Sequence, residues 1–347
     1  MFTLIFRIYN FLHSMRALQE RLSSQLPTAL SSILTRTENL PGLTREYGPN
    51  DDCSSNQWSE ESRDPSTTGI TFRNPEVQAL IQRDGYTLLS EGSARLKPTI
   101  GKAISSHGRV GIVALKFLDG VTEELQVLRH LQAIQSELNR TIKLLDVIKL
   151  NIPPTNVVRN VIVMPWQMPL TRCLREAHFP CAVELLRVQF LEGVAFLHEC
   201  GIAHLDLKPE NVLVDGKRGS LLPQLSIIDF GLSIFVESEE TLVEGYRGTK
   251  SWVAPEAGTE HGPVMKYSAL LADRWSCGQV LKYFASFLPA GSTSVLGFTY
   301  AGLLSADPRK RPPLREVLRS LQGTSAKRRS GDGSEAIVAQ KRFRMLW

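Results

Sequence analysis

Apolar positions along this chain change their period several times, and each change marks an element. Short apolar runs at Tyr86–Leu89, Ile100–Ile104 and Gly111–Phe117 predict strands, with His107-Gly108 as a turn between the last two. From Val121 to Leu131 the spacing becomes helical, with Val121, Leu125 and Leu128 on one face. Ile142–Val147 and Val157–Met164 predict two more strands. Ala182–Glu199 then carries Leu185, Leu186, Phe190, Val194 and Leu197 at helical spacing, and Gly201 supplies a stop. A further apolar helix is predicted from Asp273 through Phe287.

The flanks lack this periodicity. Leu40–Thr71 is rich in Pro, Gly, Ser, Asn and acids, and such a segment buries too little apolar surface to offset its ordering entropy. It reads as a disordered linker, with the folded domain beginning near Tyr86. Met1–Met15 is apolar but too short for a bilayer helix, and Arg7 and His13 interrupt it. It fits a helix packing on the domain or a poorly ordered start, with a membrane-surface or targeting role as the alternative. No transmembrane segment is expected. The organisation predicted is an extension over 1–85, a folded domain over 86–321 divided at 165/166, and a tail over 322–347.

Composition changes this picture only at the tail. Of the 347 residues, 42% are hydrophobic and 22% charged, an ordinary globular balance. The net charge is +5, and +4 of it falls between Gln322 and Trp347. The five cysteines form no Cys-x-x-Cys pair, which argues against a disulfide framework or zinc site and fits an intracellular, reducing compartment.

Candidate chemistry sits in two loops. His204-Leu205-Asp206-Leu207-Lys208-Pro209-Glu210-Asn211 places a carboxylate, an ammonium and a carboxamide after a helical run and before Val212-Leu213-Val214-Asp215. Pro209 fixes its own φ and disfavours helix at Lys208, so the loop is rigid. Ile227-Ile228-Asp229-Phe230-Gly231 follows, a short apolar strand ending in a second carboxylate with Gly for the turn. Two acids and an amide on adjacent loops suit a divalent metal, and the Lys suits a phosphate.

Together these stretches resemble the catalytic and Asp-Phe-Gly loops of the eukaryotic serine/threonine protein kinases, over about Tyr86 to Leu321, in a variant form similar to the divergent kinases of fungal genomes. The resemblance implies an α+β, bilobal fold: a small antiparallel β-sheet lobe with one helix, and a larger, mainly helical lobe. It implies Asp206 and Lys208 as catalytic residues, Asn211 and Asp229 as holders of Mg²⁺, and ATP as the cofactor. In Ala114-Leu115-Lys116 the Lys matches the phosphate-touching strand lysine, with Glu124 as its helix partner ahead of Glu123 and Glu137. The short Lys116–Glu124 separation implies a helix lacking its first turns. Met164, before Pro165-Trp166, matches the back of the adenine pocket. Ser90-Glu91-Gly92-Ser93-Ala94-Arg95 retains only Gly92 of the glycine-rich phosphate loop, and an ordinary hairpin turn is the alternative there.

After Asp229, the segment to Gly245, acidic and polar at Glu237, Glu239, Glu240, Thr241 and Glu244, reads as a flexible activation segment. Gly248-Thr249-Lys250-Ser251-Trp252-Val253-Ala254-Pro255-Glu256 resembles its end, and this piece together with Lys208-Pro209-Glu210-Asn211 favours a serine or threonine in a protein substrate. Asp307-Pro308-Arg309-Lys310-Arg311-Pro312 supplies the Arg expected to pair with Glu256. Leu205 stands where many kinases carry Arg. The function implied is Mg²⁺-dependent transfer of the γ-phosphate of ATP to protein hydroxyls. A pseudokinase serving as a nucleotide-binding or interaction scaffold is the second reading, motivated by the reduced glycine loop and the shortened helix. The tail, Lys327-Arg328-Arg329 with Lys341-Arg342-Phe343-Arg344, resembles a two-part nuclear import signal read by an import carrier, or else is a solvated basic tail. A stable nucleic-acid complex is not expected, and the location implied is nucleus or cytoplasm.

Overall fold

Strand alternation in the small lobe decides which residues reach the site. A five-stranded antiparallel sheet runs in the order β1-β2-β3-β5-β4, built from β1 (Tyr86–Leu88), β2 (Ile100–Ser105), β3 (Ile112–Leu118), β4 (Asp146–Ile152) and β5 (Val157–Pro165). Along β3, Val113, Leu115 and Phe117 join one apolar cluster, and Val161 and Val163 of β5 join it too. The intervening positions face the other way, so Leu118 and Ile162 enter the main core and Lys116 turns toward the large lobe. The computed structural model describes residues 71–89, 97–107, 111–118, 122–152, 157–176, 180–215, 223–288 and 300–320. The expectations for residues 1–70, for Gly92 and its loop, for Gly108 and for the basic tail lie outside these.

The boundary expected at Tyr86 falls inside the folded lobe. Helix α1 (Pro75–Arg83) precedes β1, capped by Asn74, whose side chain accepts from the Glu76 N–H, and opened by a proline in the first turn. Its Val77 and Ile81 are fully buried, and Phe72 ahead of it stacks on Phe117 with centroids 4.3 Å apart. Thus α1 covers the sheet face opposite α2 (Glu123–Ala133). The strand expected at Ile142–Val147 also moves: Ile142 is buried, but β4 starts at Asp146. Ile142, Leu144, Ile148, Leu150 and Ile152 share one alternation, but the ladder with β5 begins only at Asp146.

In the large lobe, short strands precede and surround two long helices. After β6 (Met168–Pro169) and α3 (Leu170–Glu176), helix α4 (Pro180–Glu199) buries Leu186, Phe190, Val194 and Leu197. It ends at Gly201, which has φ 66° and where a Cβ would lie 2.8 Å from the Val236 carbonyl. β7 (Ile202–Ala203), β8 (Val212–Asp215) and β9 (Gln224–Ile227) follow, with β10 (Ile234–Phe235) pairing back onto β7. β11 (Leu242–Glu244) pairs antiparallel with β12 (Lys266–Ser268), which leads into α5 (Ala269–Ala285). Ser268 caps α5 by accepting from the Leu271 N–H, so the helix starts before Asp273, the predicted start. Burial of Phe190 against Phe284 joins α4 to α5.

Candidate active site

The chain leaves β7 into a loop that no helix or sheet ladder holds, so its backbone donors need other partners. Asp273 of α5, fully buried, takes two of them: the His204 N–H at 2.6 Å and the Leu205 N–H at 2.7 Å. These bonds hold Leu205 at φ 62°, a left-handed conformation costing a side-chain-bearing residue about 1–2 kcal/mol. Gly248 approaches the Leu205 carbonyl so closely that a Cβ there would sit 2.7 Å from it. The His204 ring is fixed at both nitrogens, Nε2 donating to the Ile228 carbonyl (3.0 Å) and Nδ1 accepting from the Asp206 N–H (3.3 Å). One neutral tautomer satisfies both.

Four side chains then converge. The Asp206 carboxylate accepts Thr249 Oγ1 at 2.7 Å, Asn211 Nδ2 at 2.9 Å and Lys208 Nζ at 2.8 Å. Lys208 also donates to Thr249 Oγ1, so this hydroxyl is acceptor to the ammonium and donor to the carboxylate. Lys208 is extended, as Pro209 requires, and Pro209–Asn211 forms a single 3₁₀ turn that aims Asn211 back at the Asp206 carbonyl, 2.8 Å away. Asn211 is 1% exposed, and its Oδ1 is buried with no hydrogen-bond partner. A buried acceptor left open in this way is costly unless a donor or cation fills it.

Across from it, Lys116 Nζ lies 2.7 and 2.9 Å from the two Glu124 oxygens and 2.8 Å from Asp229 Oδ1. Glu124 is reached because α2 begins at Glu123, which puts its carboxylate in the first turn, where the helix dipole favours an anion. Burial alone would lower the Lys116 ammonium; Asp229 and Glu124 outweigh it and hold the group above its ordinary range. For Asp229 burial pushes upward, but Lys116 beside it brings the carboxyl down to about 2. Glu124, the more deeply buried acid, goes up from burial, opposed by Lys116. Asp229, at φ 66°, is a second left-handed residue without the licence of glycine. Phe230 after it is fully buried, its ring 5.1 Å from that of His204.

Of the described residues singled out from the sequence, Lys116, Glu124, Asp206, Lys208, Asn211 and Asp229 meet in this region. Lys116 pairs with Glu124 and not with Glu123 or Glu137, and Met164, next to last in β5, packs against the main core. Two residues escaped notice. Thr249 was legible only as part of a motif, and Asp273 only as a helix start, because their partners lie 43 and 68 or more residues away. The segment after Asp229 is not the flexible stretch expected: β10 pairs with β7, β11 pairs with β12, and Phe235 packs edge-on against His130 of α2. Glu256 and Arg311 form the anticipated pair at 2.5 and 2.8 Å, with Arg311 1% exposed.

Comparison with known proteins bears on this geometry. The protein kinase domain family matches residues 107–291, just over half of the chain. A CBL-interacting serine/threonine-protein kinase of Arabidopsis thaliana is 40% identical over 102 residues, 29% of this chain and 21% of its own. A rabbit (Oryctolagus cuniculus) serine/threonine-protein kinase is 44% identical over 101 residues, 29% of this chain and 23% of its own. A mitochondrial serine/threonine-protein kinase of Schizosaccharomyces pombe is 39% identical over 123 residues, 34% of this chain and 25% of its own. The aligned part is thus about a quarter or less of the length of these relatives. Among the described residues no helix is long and apolar enough to cross a membrane.

Proposed function

The chain belongs to the protein kinase domain family, and from that membership we propose that it transfers the γ-phosphate of ATP, with Mg²⁺, to serine or threonine hydroxyls of protein substrates. The observation that carries this reading is the Lys116–Glu124–Asp229 bridge facing the Asp206–Lys208–Asn211–Thr249 network. A scaffold protein has no chemical need for so many buried polar groups aimed at one place.

The donor set fits a hard divalent cation: Asn211 Oδ1 is a buried oxygen without a partner, and Asp229 is held ionised. Asn211 and Asp229 would hold Mg²⁺, which when bound would neutralise phosphate charge. The chain's own groups do the rest. Lys116, kept charged and aimed by Glu124, binds phosphate oxygens of the nucleotide. Asp206, oriented by Thr249 and Asn211, accepts the proton of the attacking hydroxyl, and Lys208 steadies the transferred phosphate. Met164 lines the adenine site at the end of β5. Gly92 belongs to the phosphate lid in this reading, and the basic tail serves nuclear import.

Labelled γ-phosphate transfer with Mg²⁺-ATP, measured for wild type and Asp206→Ala, tests the proposal. Transfer lost in the variant supports it. Nucleotide binding by wild type without any transfer would favour the pseudokinase reading instead.

A further inference from the structure

The stretch from Glu237 to Glu244 is acidic, with Glu237, Glu239, Glu240 and Glu244, and has little apolar surface to hold it down. It is docked all the same. Glu239 is gripped twice: its backbone carbonyl accepts Ser268 Oγ at 2.6 Å, and its carboxylate pairs with the guanidinium of Arg274. Arg274 is 5% exposed and further fixed by Nη1 donating to the Arg311 carbonyl at 3.0 Å. Its partner acid comes from the neighbouring loop, 35 residues earlier in the chain. The catalytic loop meets the same segment differently. Leu205, 6% exposed, packs in an apolar cluster with Val236 and Val243, so no cation reaches the segment from that position.

We propose that the Glu239–Arg274 pair is a built-in latch that takes the place of an activating phosphate. A phosphate orders such segments by giving a buried guanidinium an anion to bind. Here the anion is already in the chain, on the residue two before Thr241, and the guanidinium comes from α5. Thr241 sits among acids, its hydroxyl accepting the Glu237 and Ser238 N–H groups at 3.2 and 3.3 Å. A dianion there would sit beside Glu237, Glu239 and Glu240, and their like charge disfavours it. Glu239 is thus a positioning residue. It holds β11 on β12, and the segment that continues from β11 past Gly245 delivers Thr249 to Asp206. The inference concerns regulation of the site and rests on the kinase reading only for its consequence.

Hydrogen exchange on the full chain, without nucleotide or substrate, separates the two. Wild type, phosphatase-treated wild type, Glu239→Gln and Glu239→Asp are compared over peptides spanning Leu242–Gly245. Loss of a charge-assisted bond is expected to speed exchange there by about tenfold or more in Glu239→Gln, with α4 and the small-lobe sheet unchanged. Glu239→Asp, which keeps the carboxylate, is expected to stay slow, and so is the dephosphorylated protein. The latch is overturned if Glu239→Gln exchanges like wild type, if Asp behaves like Gln, if protection is lost on dephosphorylation, or if exchange rises throughout the domain. Because half of the Glu239 side chain is exposed, its replacement leaves folding intact even if Arg274→Ala does not fold. Slow exchange in a protein that transfers no phosphate would leave the latch standing and refute the activity alone.

Discussion

Arg311→Ala removes a buried cation that four hydrogen bonds tie into the large lobe. Its guanidinium holds both Glu256 oxygens at 2.5 and 2.8 Å, donates to the Ser305 carbonyl at 2.9 Å and the Leu271 carbonyl at 2.8 Å, and lies 5.1 Å from the centre of the Trp275 ring. Truncation leaves Glu256 without its counter-ion and takes a donor from the Ser305 and Leu271 carbonyls. Breaking one side of a buried pair typically costs about 3–5 kcal/mol. The Glu256 side chain is 18% exposed, so water reaches part of the stranded carboxylate, and the lower end, about 3 kcal/mol, applies. For a domain of this size 1 kcal/mol shifts the melting point by about 2–4 °C, so a fall of about 6–12 °C is expected. Scanning calorimetry of Arg311→Ala, Glu256→Ala and the double variant reads both the shift and the coupling. The double variant should lose less than the sum of the singles, because the second removal strands no charge. High salt should not mimic the mutation, since a buried pair is poorly screened. An unchanged melting temperature, or strictly additive losses, would refute the pairing argument.

Three other outcomes are expected. Asp229→Asn should leave the fold intact but weaken Mg²⁺-dependent nucleotide binding, which calorimetry with and without the metal would reveal; equal affinity in both proteins would remove Asp229 from the metal site. Phosphatase treatment should leave activity unaltered, because Leu205 cannot gather a phosphate; activity abolished by the phosphatase and restored by an acidic residue at Thr241 would contradict this. A large inert reporter fused to Gly323–Trp347 should accumulate in the nucleus and lose that accumulation when Lys327, Arg328 and Arg329 become Ala. Exclusion of the unmutated fusion would reject the import signal.

What could be read from the chain was whatever is local. Asp206, Lys208 and Asn211 lie within one rigid loop, so their spacing alone brings them together, and the Lys116–Glu124 pair followed from a strand running almost directly into a helix. Helix α1 was hidden because it is short and emerges from a polar stretch; only Val77 and Ile81 are buried along it. The bounds of β4 were not legible because Ile142 to Ile152 carries one apolar alternation interrupted at Asp146, and pairing with β5 sets where the strand begins. Asp273, Thr249 and the Glu239–Arg274 pair act across tens of residues, where sequence spacing carries no information about contact. The acidity of the segment after Asp229 suggested looseness, whereas a single buried guanidinium converts one of those acids into an anchor.

The central claim, that Asp206 serves phosphate transfer, is tested most directly by following γ-labelled phosphate from Mg²⁺-ATP onto a protein acceptor and identifying the labelled residues. Wild type should label serine and threonine, and Asp206→Ala should lose about 10²–10⁴ in rate, the usual worth of a positioned acid–base group, while still binding nucleotide. Undiminished labelling by Asp206→Ala, or no labelling by a wild-type protein that binds nucleotide, would contradict it.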